Sequence, residues 1–325
     1  MTERSTIHQI TQLGVETVPG TSVTAGTQLQ ATSIEPSIHA EIASFRPMGG
    51  KFPVLAALGT EWVEASISGQ AAYNDLAYLL AGLLSYEAPA PQGTGAYLWT
   101  FSIAQGAEDT IKTFTVEHGC AQRAAKFTYG LITSLGLSIN RDNIDLSGSM
   151  LGQALQDDIE RSPVSLVIPP VPILPTQIDV YLDDVVGSLG STQLTRALSA
   201  ELQISDRFAP LWALNSAASG YVAHVETAPT ATLKLLLAAD DAGMEPLAAM
   251  REGAKRYIRL EATGPVIADS ERYRLQLDMC GTVSAVGRFS DEDGVYAVEW
   301  EFATTYDADW EQALTVQLVN TLSAL

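Results

Sequence analysis

Residues 126–150 read KFTYGLITSLGLSINRDNIDLSGSM. Leu131, Thr133, Leu135, Leu137 and Ile139 alternate with Ile132, Ser134, Gly136, Ser138 and Asn140. Side chains on a strand project to opposite faces with a period of two, so the stretch predicts an extended strand. Arg141-Asp142-Asn143 supplies turn residues, after which Ile144, Leu146 and Met150 alternate with Asp145, Ser147 and Ser149. The prediction is a hairpin with one apolar face and one small, mostly polar face.

Working outward, the same plan is written twice. Thr27-Gln28-Leu29 opens an extended stretch that reaches Phe45-Arg46-Pro47, and Thr192-Gln193-Leu194 opens another that reaches Phe208-Ala209-Pro210. In the first half, Trp62-Val63-Glu64-Ala65-Ser66-Ile67-Ser68 alternates as a strand, and Asp75 precedes the apolar run at 76–84, a short helix that Asp75 would cap. Residues 98–104 and 110–118 read as a hairpin around Gly106. In the second half, residues 177–183, 193–204 and 221–227 are strand-like, and a short helix follows Pro246. Residues 272–288 and 295–304 form a long hairpin turned at Asp293-Gly294. Tyr296, Val298, Trp300 and Phe302 make its apolar face, with Glu299 and Glu301 opposite. Between the halves, SPVSLVIPPVPILP carries five prolines and no charge. Such a segment cannot sit in a central strand and reads as a packed linker. The organisation expected is a flexible arm at 1–26, a first unit at 27–160, a linker at 161–176 and a second unit at 177–325. The fold class expected is mainly β: two tandem β-sandwich or β-barrel units, each with a short flanking α-helix.

The totals agree. A chain of 325 residues with 46% hydrophobic and 17% charged residues can bury a sizeable core. Fifteen prolines and twenty-five glycines suit many short strands joined by turns. No apolar run of about 18 residues occurs, so no membrane span is expected. MTERSTIHQ lacks an apolar export region, and a reducing cytoplasm is the expected setting for the two cysteines, Cys120 and Cys280. The net charge is −20, and both halves are acidic: residues 1–165 hold 8 basic and 16 acidic groups, residues 166–325 hold 10 and 22. Nucleic-acid grip depends on Lys and Arg neutralising phosphates, so the chain is a poor candidate for holding DNA. The acidity serves either plain solubility or the passage of a polyanion that must not stick.

No catalytic pattern emerges. His8, His39, His118 and His224 lack ligand spacing, and the His224–Glu226 pair is weak evidence for a site. The chain has no HExxH, GxSxG, Walker-type loop or dinucleotide fingerprint. The acids of residues 290–294 are consecutive, and Phe302 stands where a calcium loop needs its closing Glu. Asp157-Asp158, Asp183-Asp184 and Asp240-Asp241 are neighbours whose side chains diverge. No enzyme, cofactor or metal site is expected. The five tryptophans fall in or near strand-like alternation, where aromatics serve sheet packing.

Gly14-Val15-Glu16-Thr17-Val18-Pro19-Gly20-Thr21 resembles a stretch near the start of phage major tail proteins. Gly59-Thr60-Glu61-Trp62, Asp293-Gly294-Val295-Tyr296, Trp300-Glu301-Phe302 and Tyr306-Asp307 follow in the order of that family. The chain therefore resembles a major tail tube protein of a long, non-contractile bacteriophage tail. The resemblance implies β units packed into stacked rings around a lumen that carries double-stranded DNA without binding it. Two units per chain then imply trimeric, pseudo-hexameric rings. Implied partners are further copies of the chain, a tape measure protein and tail-end proteins. The implied location is the virion tail, assembled in the host cytoplasm. Candidate lumen residues are Ser134, Ser138, Asn140, Asp145 and Ser147 in the first half. In the second they are Gln276, Asp278, Thr282, Ser284, Glu299 and Glu301. Val15, Val18, Pro19 and Val23 are candidates for an arm reaching a neighbouring ring. The alternatives are a tail terminator, capsid decoration or baseplate protein sharing the fold, and a carbohydrate-binding β-sandwich module or hydrolase accessory domain.

Overall fold

The computed structural model describes residues 6–214 and 219–325. The chain is mainly β, with large sheets. In the first half the main strands are β1 (Ile10–Val15), β2 (Thr27–Leu29), β3 (Thr32–Phe45), β4 (Leu55–Gln70), β5 (Tyr97–Ser102), β6 (Phe114–Cys120), β7 (Arg123–Ile139) and β8 (Ile144–Gly152), with helix α1 (Asp75–Leu83) after β4. The second half contains β9 (Ile178–Asp183), β10 (Ala197–Ser205), β11 (Phe208–Leu211), β12 (Ala223–Glu226), β13 (Thr230–Ala238), β14 (Lys255–Ala268), β15 (Glu271–Val286), β16 (Val295–Thr304) and β17 (Leu314–Asn320). Helix α2 (Pro246–Glu252) lies between β13 and β14.

One antiparallel order occurs in both halves. The series β1–β6–β7–β8–β4–β3 has its counterpart in β9–β14–β15–β16–β13–β10. Thr27 faces Leu13 on β1, and the Thr192 carbonyl accepts the Leu182 N–H of β9. Both long hairpins carry a one-residue bulge: Thr133 is skipped between Ile132 and Ser134, and Ser284 between Val283 and Ala285. A bulge bends its strand and turns later side chains over. Here it corrects the alternation read from sequence. Ile132, not Leu131, shares the core face with Leu135 and Leu137, while Leu131 packs outside with Tyr129, Phe208 and Tyr221.

Two sets of ladders tie the halves together. β7 pairs with β10, from Ile139–Ala200 to Leu135–Ile204. β5 pairs with β17, from Tyr97–Asn320 to Ser102–Thr315. Residues 98–104 and 110–118 are thus no hairpin: β5 belongs with β17, and β6 with β1 and β7. The hairpin from residue 272 is also split, because β15 pairs with β17 over Arg274–Met279 and with β16 only from Gly281 onward. The Asp-Gly turn is as read, with positive φ at Asp293 and Gly294. The stretch expected as a flexible arm contains β1, which lies between β2 and β6.

Helix α1 is buried at all nine positions, as suits a helix apolar on every side. Asn74, not Asp75, occupies its N-cap position; the Asp75 carboxylate accepts the Ala31 N–H at 3.1 Å. A Cβ at Gly82 would stand 2.6 Å from Phe114 and 2.7 Å from Ile132, so only glycine fits between helix and sheet. The linker is packed, with Ile168 and Ile173 buried and Leu166–Val167 parallel to β2. One hydrophobic cluster takes residues from both halves, including Trp99, Phe101, Trp300 and Phe302.

Arg207 fastens the joint. Fully buried, it donates to the Leu83 carbonyl at the end of α1 (3.2 Å), to Asp109 (2.5 Å) and to Glu226 (2.9 Å). Its guanidinium lies 4.9 Å over the Phe208 ring. Arg207→Met would leave the Asp109 carboxylate buried and unpaired, a loss of about 3–5 kcal/mol. Urea unfolding should show that loss. Arg207→Lys should restore only part of it, because an ammonium lacks the planar fork that reaches three acceptors.

Asp307 closes the second half in a similar way. A hydrogen bond from Lys255 Nζ (2.9 Å), with help from the Trp310 N–H and Tyr257, holds its carboxyl at about 2. A carboxyl depressed in the folded state stabilises above its unfolded value, about 3.9, and loses that contribution as pH falls through the folded value. The stability gap between the native chain and Lys255→Met should therefore narrow between about pH 4 and pH 2 in thermal unfolding scans.

Candidate functional site

The sheet β3–β4–β8–β7–β10–β13–β16, continued by the end of β15, crosses from one half to the other and has two chemically different faces. Its core face carries Ile34, Ala65, Ile67, Leu146, Leu135, Leu137, Leu202, Leu233, Leu235, Trp300 and Phe302, all buried. Alternation places polar residues on the opposite face, and the registers align them in rows. One row runs Ser33–Ser68–Ser147–Gly136–Gln203–Thr232–Ala303–Thr282. Beside it runs Gln70–Asp145–Ser138–Glu201–Lys234–Glu301–Ala285. A shorter row, Glu35–Ser66–Ser149–Ser134, flanks the first on its other side in the first half.

Small side chains dominate in the first half and longer ones in the second. Ser149 Oγ bonds to Thr133 Oγ1 (2.8 Å) and Ser134 Oγ (2.6 Å), while Ser284 Oγ donates to Glu301 Oε1 (3.1 Å). Among the described residues, Glu35, Glu64, Asp145, Glu201, Glu299 and Glu301 give this face six carboxylates, against one ammonium, Lys234, which pairs with Glu201 at 3.5 Å, and the His39 imidazole, 3.4 Å from Glu64. Carboxylates outnumber cations here and share the face with hydroxyls, so the face is polar and electronegative.

Ser134, Ser138, Asp145, Ser147, Ser284, Glu299 and Glu301 lie on this face, and Thr282 ends its first row. Asn140 does not: its side chain builds the β7–β8 turn, accepting the Asp142 and Asn143 N–H groups and donating to Asn143 Oδ1. Gln276 and Asp278 lie on the β17-paired half of β15, where Gln276 donates to Asp278 and Asp278 takes Arg259 at 2.7 and 2.9 Å. Glu35, Glu64, Glu201, Gln203 and Lys234 complete the face. The same period of two in WVEASIS and AELQIS marks Glu64, Glu201 and Gln203, while Glu35 and Lys234 are placed by the ladders.

Of the arm candidates, Val15 and Val23 are half-buried against the first half, whereas Val18 and Pro19 are exposed. Val15 faces Phe114 in the β1–β6 ladder, Val23 N–H donates to Thr115 Oγ1, and Val18-Pro19-Gly20 form a turn. Glu16 anchors this segment, its buried carboxylate accepting Thr113 Oγ1, Thr115 Oγ1 and the N–H groups of Gly20 and Tyr129 at 2.8–2.9 Å.

Instead, the hairpin β3–β4 projects. Ile38, Ile42, Phe45, Met48, Phe52, Val54, Leu55 and Leu58 are all exposed along it, a concentration of large apolar side chains of the kind found at interaction surfaces. The equivalent extension of the second half, β11–β12, folds back on the first. Its Trp212 meets Trp62 and Tyr221 edge-on, Tyr221 meets Tyr129, and Tyr129 and Phe208 meet His224. These rings fill a joint and present no coplanar platform.

Among the described residues, no cluster of three or more His, Cys, Asp or Glu side chains is placed to hold a metal ion. Among them too, no helix is long and apolar enough to cross a membrane. No protein-family model matches the chain, and no curated protein matches it.

Proposed function

We propose that this chain is a structural virion protein that assembles into stacked rings forming a phage tail tube, a conduit for double-stranded DNA. The observation that carries the reading is the polar face: one carboxylate-bearing surface shared by both halves of the chain. Duplex DNA presents about one charge per 1.7 Å of axis, so a basic lining would hold it fast. Serine rows interspersed with carboxylates keep phosphates at a distance and give them water to move through. The repeated pairing order supports two β units per chain, hence three chains in a pseudo-sixfold ring. The exposed hairpin β3–β4 supports contact with other copies. The resemblance to tail tube proteins adds a tape measure protein and tail-end proteins as partners in the virion.

Electron microscopy of the purified protein at rising concentration tests this directly. Rings or tubes with threefold or sixfold averages are expected; a protein monomeric at every concentration removes the reading.

The lining has its own test. Glu64→Lys, Asp145→Lys, Glu299→Lys and Glu301→Lys in combination should create salt-dependent retention of duplex DNA. Log affinity should fall against log salt by about 0.9 per phosphate neutralised, while the native protein retains none. Retention by the native protein at physiological salt would contradict an inert lining.

A further inference from the structure

We infer that β3 of one copy adds to the outer edge of residues 284–290 of a second copy, antiparallel, with Ile38 opposite Val286 and Ser37 opposite Gly287. The inference rests on the self-assembly proposed above and names the strands and register that such assembly uses.

The joint between the two halves of the chain supplies the template. The row Glu35–Ser66–Ser149–Ser134 has its counterpart in Glu201–Lys234–Glu301–Ala285, and each row ends on the residue after the bulge. β3 therefore stands where β10 stands, and the end of β15 stands where the end of β7 stands. β10 is not free: Ile204 pairs with Leu135, Gln203 with Gly136 and Glu201 with Ser138. Carried to the equivalent positions, these become Ile38 with Val286, Ser37 with Gly287 and Glu35 with Phe289. Glycine occupies the third position after the bulge in both strands, Gly136 and Gly287. At Gly136 the space is used, since a Cβ there would come within 2.4 Å of Gln203 Oε1.

Burial points the same way. Leu135 and Ile204, which cover one another's edges, are 3% and 1% exposed. Their counterparts Val286 and Ile38 are 40% and 55% exposed, and Phe289 is 50% exposed. Among the described residues no strand pairs with the outer edge of β3 or of 284–290, so both edges keep unsatisfied backbone groups of the kind that recruit a strand. Part of the β3 edge is closed: the Ile34 N–H goes to Thr11 Oγ1 at 3.1 Å, and Pro36 has no N–H to give. The ladder between copies is accordingly shorter than the internal one, and indiscriminate strand addition is discouraged. Because the two edges are different surfaces, the contact is head-to-tail and propagates from copy to copy until it closes.

Disulfide trapping tests the register. Ile38→Cys and Val286→Cys chains, prepared separately, are mixed, allowed to assemble and oxidised; the native Cys120 and Cys280 are buried. A cross-linked pair should form in the mixture and in neither variant alone. It should exceed by at least tenfold the yield from Ile38→Cys with Ser290→Cys, which lies four residues (about 13 Å) out of register. Glu35→Cys with Phe289→Cys is a second in-register pair, should either of the first variants misfold. Rings or tubes that form without these cross-links, or with the displaced pair favoured, would overturn the register and leave the tail tube reading standing. Chains that remain single, by microscopy and on non-reducing gels, would overturn both.

Discussion

The bulge at Thr133 is the constraint on which this molecule turns. β7 is seventeen residues long and serves two sets of partners, pairing with β6 through its first half and with β8 and β10 through its second. A regular strand could not do this, because its side chains would keep one core face throughout. The extra residue turns Ile132 into the core beside Leu135 and frees Leu131 to anchor the returning β11–β12 hairpin. The joint with β10 then falls on the second half of β7, where its far edge is open. Ser284 places the same device on β15, and there the far edge remains bare.

Much of this was legible in the chain, and the part that was not has a physical pattern. Local alternation reports which faces are wet and dry, so WVEASIS, SLGLSIN and VEWEF gave the polar face almost whole. A bulge is one residue with no compositional mark, and so alternation alone puts Leu131 on the core face that Ile132 occupies. Pairing across the chain is decided by packing: Trp99 on β5 donates to Asn320 and to the Leu322 carbonyl near the C-terminus, 3.0 and 3.1 Å away. No spacing in the sequence announces that choice, and residues 98–104 and 110–118 by themselves read as a local hairpin. The first strand, ITQLGV, reads as a loose arm because its burial depends on Glu16, whose four donors lie on its own turn, on β7, on β6 and at the end of the loop leading into β6. Asp278, expected on the lining, is paired with Arg259 at 2.7 Å, a partner from the neighbouring strand that no local spacing announces.

Arg207 shows why the two halves behave as one body. A cation buried this completely is tolerable only where acceptors surround it, and they come from the end of α1, the 103–112 loop and β12. Such a cluster adds less by attraction than it would cost to open, since separating the halves would strand an arginine or an aspartate out of water. The β7–β10 and β5–β17 ladders and the shared hydrophobic cluster act in the same sense. Their combined effect is to hold the rows of the polar face in register across the joint, so that Ser138 meets Glu201 and Gly136 meets Gln203.

Those rows explain why acidity and small size occur together on this surface. In the proposed tube, a lining built of long side chains could reach across to phosphates and bind them one by one. Serine and glycine cannot reach, and carboxylates that could reach are repelled. The net charge of −20 therefore matters less as a total than in its placement. Three of the six carboxylates on the face, Glu201, Glu299 and Glu301, belong to the second half, and Lys234 beside them is already paired with Glu201. Under the proposed role, a polyanion passing over this sheet would meet hydroxyls and like charge, with Lys234 engaged by Glu201 within its own row.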